Sequence, residues 1–107
     1  LVRQKSPFPL HAGASHLITN PHIPVRYWMA RSLARSKGSR TYAVLLKLMD
    51  DSQPIVSCQA LYSLGRRKET QSIRIVLDKI NQSDHWYVQW YGYNALKALG
   101  WRQKLSI

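Results

Sequence analysis

The chain is predicted to be all-α, an α-α superhelix (solenoid) of about three and a half helical hairpins. Two observations carry that expectation: a sequence period of about 31 residues, and apolar spacing of the helical kind inside each period. A third bounds it. Cys58 is the only cysteine in 107 residues of 45% apolar content, so no disulfide framework exists and one core must hold by packing.

The period shows when the sequence is laid on itself. "NPHIPVRYWMARSLARS" begins at Asn20 and "DSQPIVSCQALYSLGRR" at Asp51, an offset of 31. Val25 and Val56 align, each followed eight residues later by Leu33 and Leu64. A third copy, "SDHWYVQWYGYNALKALG", repeats that separation with Val88 and Leu96, at an offset of 32. The linking segments "TYAVLLKLMDD" and "SIRIVLDKINQ" also align, pairing Val44 with Ile75, Leu46 with Leu77 and Met49 with Ile80. The expected frame is a single domain over 1–107: a partial repeat 1–19, repeats 20–50 and 51–82, and a terminal repeat 83–107. Stacked supersecondary units produce periods of this kind. The chain opens on Leu1 rather than Met, and we read it as a C-terminal piece of a larger protein.

Each unit reads as two helices. Asn20-Pro21, Asp51 with Pro54, and Ser83 or Asp84 supply start signals, with proline tolerated in a first turn. Gly65 and Gly100 stand where left-handed caps are expected. Ile73, Val76, Leu77 and Ile80 fall at i, i+3, i+4 and i+7, one helix face. "TYAVLLKLM" is apolar on nearly every side, as a helix between neighbours would be.

With these motifs the chain resembles the HEAT-repeat family in its short bacterial form, also seen in phycobilin lyase-type arrays. That form runs from an acidic residue and an aromatic or Pro through Val-Arg to Ala, Ala-Leu and Leu-Gly. Val25, Arg26, Ala30 and Leu33 match it, as do Ala60, Leu61, Leu64 and Gly65, and Asp84, Trp86, Val88, Ala95, Leu96, Leu99 and Gly100. Ser57, Gln89 and Gly92 depart from it. The resemblance implies a structural role for Arg26, with Asp50 and Asp51 as its expected partners. It implies little about activity, because a fold does not carry a function.

The segment "DHWYVQWYGYNALKALGW" holds six of the eleven aromatic residues. Val88, Gly92, Ala95, Leu96 and Leu99 form its core stripe by alignment. Trp86, Trp90 and Tyr93 fall on a second stripe, continued by Lys97, and Tyr87 and Tyr91 on a third. The favoured expectation is that the rings fill the helix's packing, with Gly92 admitting a neighbour's backbone. The alternative is an exposed contact platform, which makes Trp86, Trp90 and Tyr93 the first candidates for partner binding.

Sixteen Lys and Arg against five Asp and Glu leave a charge of +11. The basic residues gather between helices: Arg35, Lys37 and Arg40; Arg66, Arg67 and Lys68; and Arg102 with Lys104. Stacked repeats bring equivalent loops together, so these eight should line one edge as a ridge. The alternative is a solvated set of cations favoured by helix C-termini. As a binding edge, the ridge would suit an acidic protein partner or another domain of the parent chain. Nucleic acid is also served, with a salt slope of about −0.9 per phosphate and rings stacking bases at ~1–3 kcal/mol each, and so is an anionic membrane surface.

No catalytic set is discernible, and no cofactor, metal or small-molecule substrate is implied. His11 and His16 point to different helix faces, His22 and His85 open repeats, and Cys58 aligns with Tyr27 as a packing residue. The acids are dispersed or adjacent caps. Phycobilin lyases and alkylpurine DNA glycosylases use HEAT-like arrays, but this chain is too short for either. No apolar run approaches the ~20 residues of a membrane span. The expected role is a non-catalytic interaction or scaffold module, cytoplasmic in location or the soluble part of a membrane-associated parent.

Overall fold

A computed structural model describes residues 19–102. His11, His16 and Lys104, and most of the first partial repeat, lie outside the described residues. Five helices follow one another: α1 (Ile23–Ser32), α2 (Ser39–Met49), α3 (Pro54–Arg66), α4 (Ile73–Gln82) and α5 (Trp86–Ala98). There is no strand among the described residues. The architecture is an α-α superhelix, in which α1 and α2 form one hairpin, α3 and α4 the next, and α5 opens a third.

The helix starts use the expected residues in an unexpected way. None of Asn20, Asp51, Ser83 and Asp84 is an N-cap; the first three have a shared role. They lie two residues ahead of the caps His22, Gln53 and His85, and accept a hydrogen bond from each cap's own N–H at 2.8, 2.9 and 3.2 Å. These are side-chain-closed turns that aim the chain into the helix. Pro24 and Pro54, not Pro21, occupy first turns. A second repeated device follows. Arg26 Nη1 and Gln89 Nε2 each donate to the carbonyl six residues back, of Asn20 and Ser83, while Ser57 Oγ gives its single proton to the Met49 carbonyl at 2.6 Å. Two different side chains thus make one equivalent bond, so the departure at Gln89 keeps this contact, whereas Ser57 ties α3 to the end of α2.

The helix ends also repeat. Gly100 (φ 89°) closes α5, its N–H bonding the Lys97 carbonyl while the Trp101 N–H bonds that of Leu96. In the second repeat Lys68 (φ 59°) takes the same place, bonding Gly65 while Glu69 bonds Leu64. Both are Schellman closures. Gly65 is therefore not the cap. It is buried inside α3, where a Cβ would lie 3.1 Å from Ala95 Cα, and its missing side chain lets α3 and α5 approach closely. Gly92 meets a side chain rather than a backbone: a Cβ there would be 2.5 Å from Ile80 Cγ1.

α1, α3 and α5 lie side by side and parallel, as contacts at both ends show. At the start, Arg26 grips Asp51, one of its two expected partners, in a bidentate pair through Nε and Nη2 at 2.7 and 3.1 Å, while Asp50 lies against Lys79 instead. Midway, Ser63 Oγ donates to the Ala30 carbonyl, and at the far end Lys68 Nζ donates to that of Ala98. Each second helix packs chiefly on the following first helix, α2 on α3 and α4 on α5. Met29, Leu45, Leu48, Val56, Leu61, Leu64, Val76, Val88 and Leu96 fill the core between the layers.

Candidate interaction surface

α5 turns its rings two ways. Val88, Gly92, Ala95 and Leu96 are buried, and Tyr87, Tyr91 and Trp101 pack part-buried against the core. Trp86, Trp90 and Tyr93 instead stand 73%, 56% and 47% exposed. The expectation that these three rings fill the helix is overturned. α3 and α4 cover only part of α5's circumference, and no described element lies on the remaining side. Edge-on contacts of Trp86 with Tyr87 (5.6 Å) and Trp90 with Tyr91 (5.2 Å) steady the exposed rings against the part-buried ones.

The first two basic turns adjoin each other. Arg67 Nη1 donates to Thr41 Oγ1 at 2.6 Å and Nη2 to the Gly38 carbonyl at 2.9 Å, joining the turns of successive hairpins. These bonds also withdraw Arg67 from the surface. Its side chain is 3% exposed and paired with Glu69 at 2.7 Å, so it is a structural rivet, because a desolvated guanidinium needs this many acceptors. Arg35, Lys37, Arg40, Arg66, Lys68 and Arg102 are exposed. All five acids lie within the described residues, and Asp50, Asp51, Glu69 and Asp78 engage Lys79, Arg26, Arg67 and Arg74. None of the six exposed cations forms an ion pair among the described residues.

Between the stripe and the turns runs a groove of about 500 Å³ between α3 and α5, lined by Arg31, Tyr62, Arg66, Lys68, Trp90 and Tyr91 among others. Arg31 lies over the Tyr62 ring, 4.4 Å from its centre, and its Nη1 donates to Gln59 Oε1 at 2.8 Å. No acid lines this groove. Sequence reasoning passed over Arg31 and Tyr62, and also Trp28, which is 56% exposed on α1. The repeat alignment held the signal, since Arg31 and Tyr62 are equivalent positions 31 apart, on a side of α1 and α3 that the core stripe leaves free.

Reactive chemistry is sparse. Cys58 is buried, and desolvation pushes its thiol up to about 11, with the Lys79 charge acting the other way. The Asp51 carboxylate raises the pKa of Arg26. His22 and His85 are exposed at helix starts. Among the described residues no three His, Cys, Asp or Glu are grouped to hold a metal ion, and no helix is long and apolar enough to cross a membrane.

A family model described as HEAT repeats matches residues 14–97. No curated protein and no solved structure matches the chain. HEAT repeats generally serve as protein-interaction scaffolds and are typically non-catalytic. With the family model spanning most of its length, and with second helices α2 and α4 packed on the parallel first helices α3 and α5, the chain belongs to the HEAT-repeat family.

Proposed function

We propose that this domain is a non-catalytic interaction module that holds an acidic protein, or another domain of its parent chain, against α5 and the basic turns. The exposed row of Trp86, Trp90 and Tyr93 is the observation that carries the reading. Such rings bring ~150–250 Å² of contact area each at small entropic cost, and Trp, Tyr and Arg are the residues that dominate binding energy at interfaces. Arg35, Lys37, Arg40, Arg66, Lys68 and Arg102 steer an acidic partner; Arg67 is withdrawn from the set. A cytoplasmic setting, free or tethered to a membrane-associated parent, suits this role.

The test is a photo-crosslinking amino acid at position 90, compared with one at Ala43 on the exposed side of α2, each in the full-length parent inside cells. A discrete protein adduct from position 90 alone supports the reading. Equal labelling at both positions, or none at 90, removes it.

Nucleic acid is the second reading, favoured by rings and cations sharing one acid-free groove; docking to an anionic membrane uses the same charges. Anisotropy of labelled single- and double-stranded oligonucleotides across salt concentrations decides the first. Tight binding with a steep slope, lost when Arg66 and Lys68 become Glu, would move the nucleic-acid reading to the front.

A further inference from the structure

The face carrying Trp86, Trp90 and Tyr93 is a stacking face. α3 turns its equivalent face to α5, because Gly65 points at Ala95 and Ala98, where a Cβ would lie 3.1 Å from Ala95 Cα and 3.3 Å from Ala98 Cβ. Leu61, Cys58 and Pro54 precede Gly65 on α3 at helical spacing and share that side, and Leu61 and Cys58 are buried. The repeat offset of 32 carries Pro54, Cys58, Leu61 and Gly65 onto Trp86, Trp90, Tyr93 and Lys97. α1 follows the same rule, for Ala30, the counterpart of Leu61, is buried and accepts from Ser63 of α3 through its carbonyl. Two successive first helices thus stack a parallel helix on this side. On α5 the same side is open among the described residues.

Resting on the reading of the domain as an interaction module, we infer that this face of α5 takes a parallel α-helix from an acidic protein partner, in the register by which α5 itself packs on α3. Continuity with the internal interface argues for a helix. The receiving surface is one straight stripe at i, i+4, i+7 and i+11, which matches the ridges and grooves of another helix. Charge argues for the partner's acidity. α5 carries no Asp or Glu, its stripe ends in Lys97, and the exposed Arg102 follows. A second copy of this +11 chain would set cation against cation, which opposes self-association on this face. Ring size sets the remaining requirement. Trp90, Tyr93 and Lys97 replace Cys58, Leu61 and Gly65, so the incoming helix needs small residues opposite the rings, as α5 offers Ala95 and Ala98 to Gly65.

The test uses a synthetic, helix-stapled peptide of about 15 residues, a length that is marginal as a free helix. It carries alanines along one face and glutamates on its flanks. Two matched peptides accompany it, one with a central proline and one with lysines for the glutamates. Each is titrated into the 107-residue chain, with tryptophan emission and backbone amide shifts as readouts.

The acidic helix is expected to saturate, moving resonances of Trp86, Trp90, Tyr93 and Lys97. Affinity should fall at least about tenfold for either matched peptide and for the Trp90→Ala chain. Failure of the acidic helix to bind, or equal binding of the proline peptide, overturns the inference. So does sedimentation of the free chain as a dimer that Trp90→Ala dissolves. If the peptide fails while crosslinking at position 90 still captures one protein, the helix inference falls and the interaction reading stands. If an oligonucleotide or an anionic phosphatidylserine vesicle moves these resonances and no peptide does, both fall.

Discussion

Trp90 stands on α5 where Cys58 stands on α3, 32 residues apart, yet Cys58 is 2% exposed and Trp90 is 56% exposed. The same helical position is core in one repeat and surface in the next, because α5 covers the first and no described element covers the second. Replacing Trp90 or Trp86 with Ala should therefore change the unfolding free energy by less than about 1 kcal/mol, where truncating a buried Trp costs ~3–5 kcal/mol. Leu96→Ala, on the buried side of the same helix, should cost roughly 2–5 kcal/mol. Urea unfolding midpoints distinguish these outcomes, and a large loss at Trp90 would return the ring to the core.

Arg66 and Arg67 are neighbours with opposite duties. Arg67 is desolvated, paired with Glu69, and donates to Thr41 and Gly38 of the preceding repeat. Arg67→Ala should cost roughly 2–3 kcal/mol, because it strands part-buried acceptors of a charged donor. Arg66→Ala should fall within about 0.5 kcal/mol of the parent. Thermal unfolding of both variants checks the contrast.

Lys68 occupies a left-handed backbone position that its counterpart fills with Gly100. The left-handed conformation costs an L-residue about 1–2 kcal/mol, and glycine's extra unfolded-state entropy returns about 0.5–1 kcal/mol of that. Lys68→Gly should stabilise the domain by roughly 0.5–1 kcal/mol, despite losing the bond from Lys68 Nζ to the Ala98 carbonyl. A lower melting temperature would show that this bond outweighs the backbone strain.

Gly92→Ala tests the α4–α5 contact. The new methyl meets Ile80 at Cγ1 and Cδ1, and Ile80 is itself buried. Overpacking of this kind costs about 1–3 kcal/mol, against a helix-propensity gain of about 1 kcal/mol, so a net loss is expected. In an Ile80→Ala background the clash disappears and Gly92→Ala should become neutral or stabilising. A double-mutant cycle by chemical denaturation measures the coupling.

Cys58 gives the domain an alkaline limit. Its thiol is raised from 9.0 to about 11 in the folded chain, first by burial. The folded thiol keeps its proton where the unfolded one ionises, so its contribution is complete below pH 9.0 and is lost as pH rises towards about 11. Cys58→Ala should flatten that loss in a stability–pH profile. Ellman's reagent should label the native thiol slowly at mildly alkaline pH and rapidly once the chain is unfolded.

Much of this was legible in the residues. The valine–leucine pairs at Val25, Val56 and Val88 gave the repeat, and repetition of apolar spacing gave paired helices. Asp51 as a partner of Arg26 followed from the family pattern, and burial of Cys58 from its alignment with Tyr27. Other positions resisted for physical reasons. Gly65 at the end of an apolar run reads as a cap, but the next helix needed its missing side chain, leaving the left-handed turn to Lys68. Asn20, Asp51 and Ser83 read as caps, yet the turns that their side chains close move the helix starts downstream.

The sequence by itself determined the solenoid, the parallel placement of equivalent helices and the scarcity of acids, because these depend on spacing and composition. Spacing also set the angle of Trp86, Trp90 and Tyr93 around α5. Only the tertiary structure decided that their side is open while the matching side of α3 is closed, and that Arg67 is buried between exposed Arg66 and Lys68. A side chain's angle on its helix is local, whereas its exposure depends on whether another element lies across that angle. That is a property of the stack and not of the repeat.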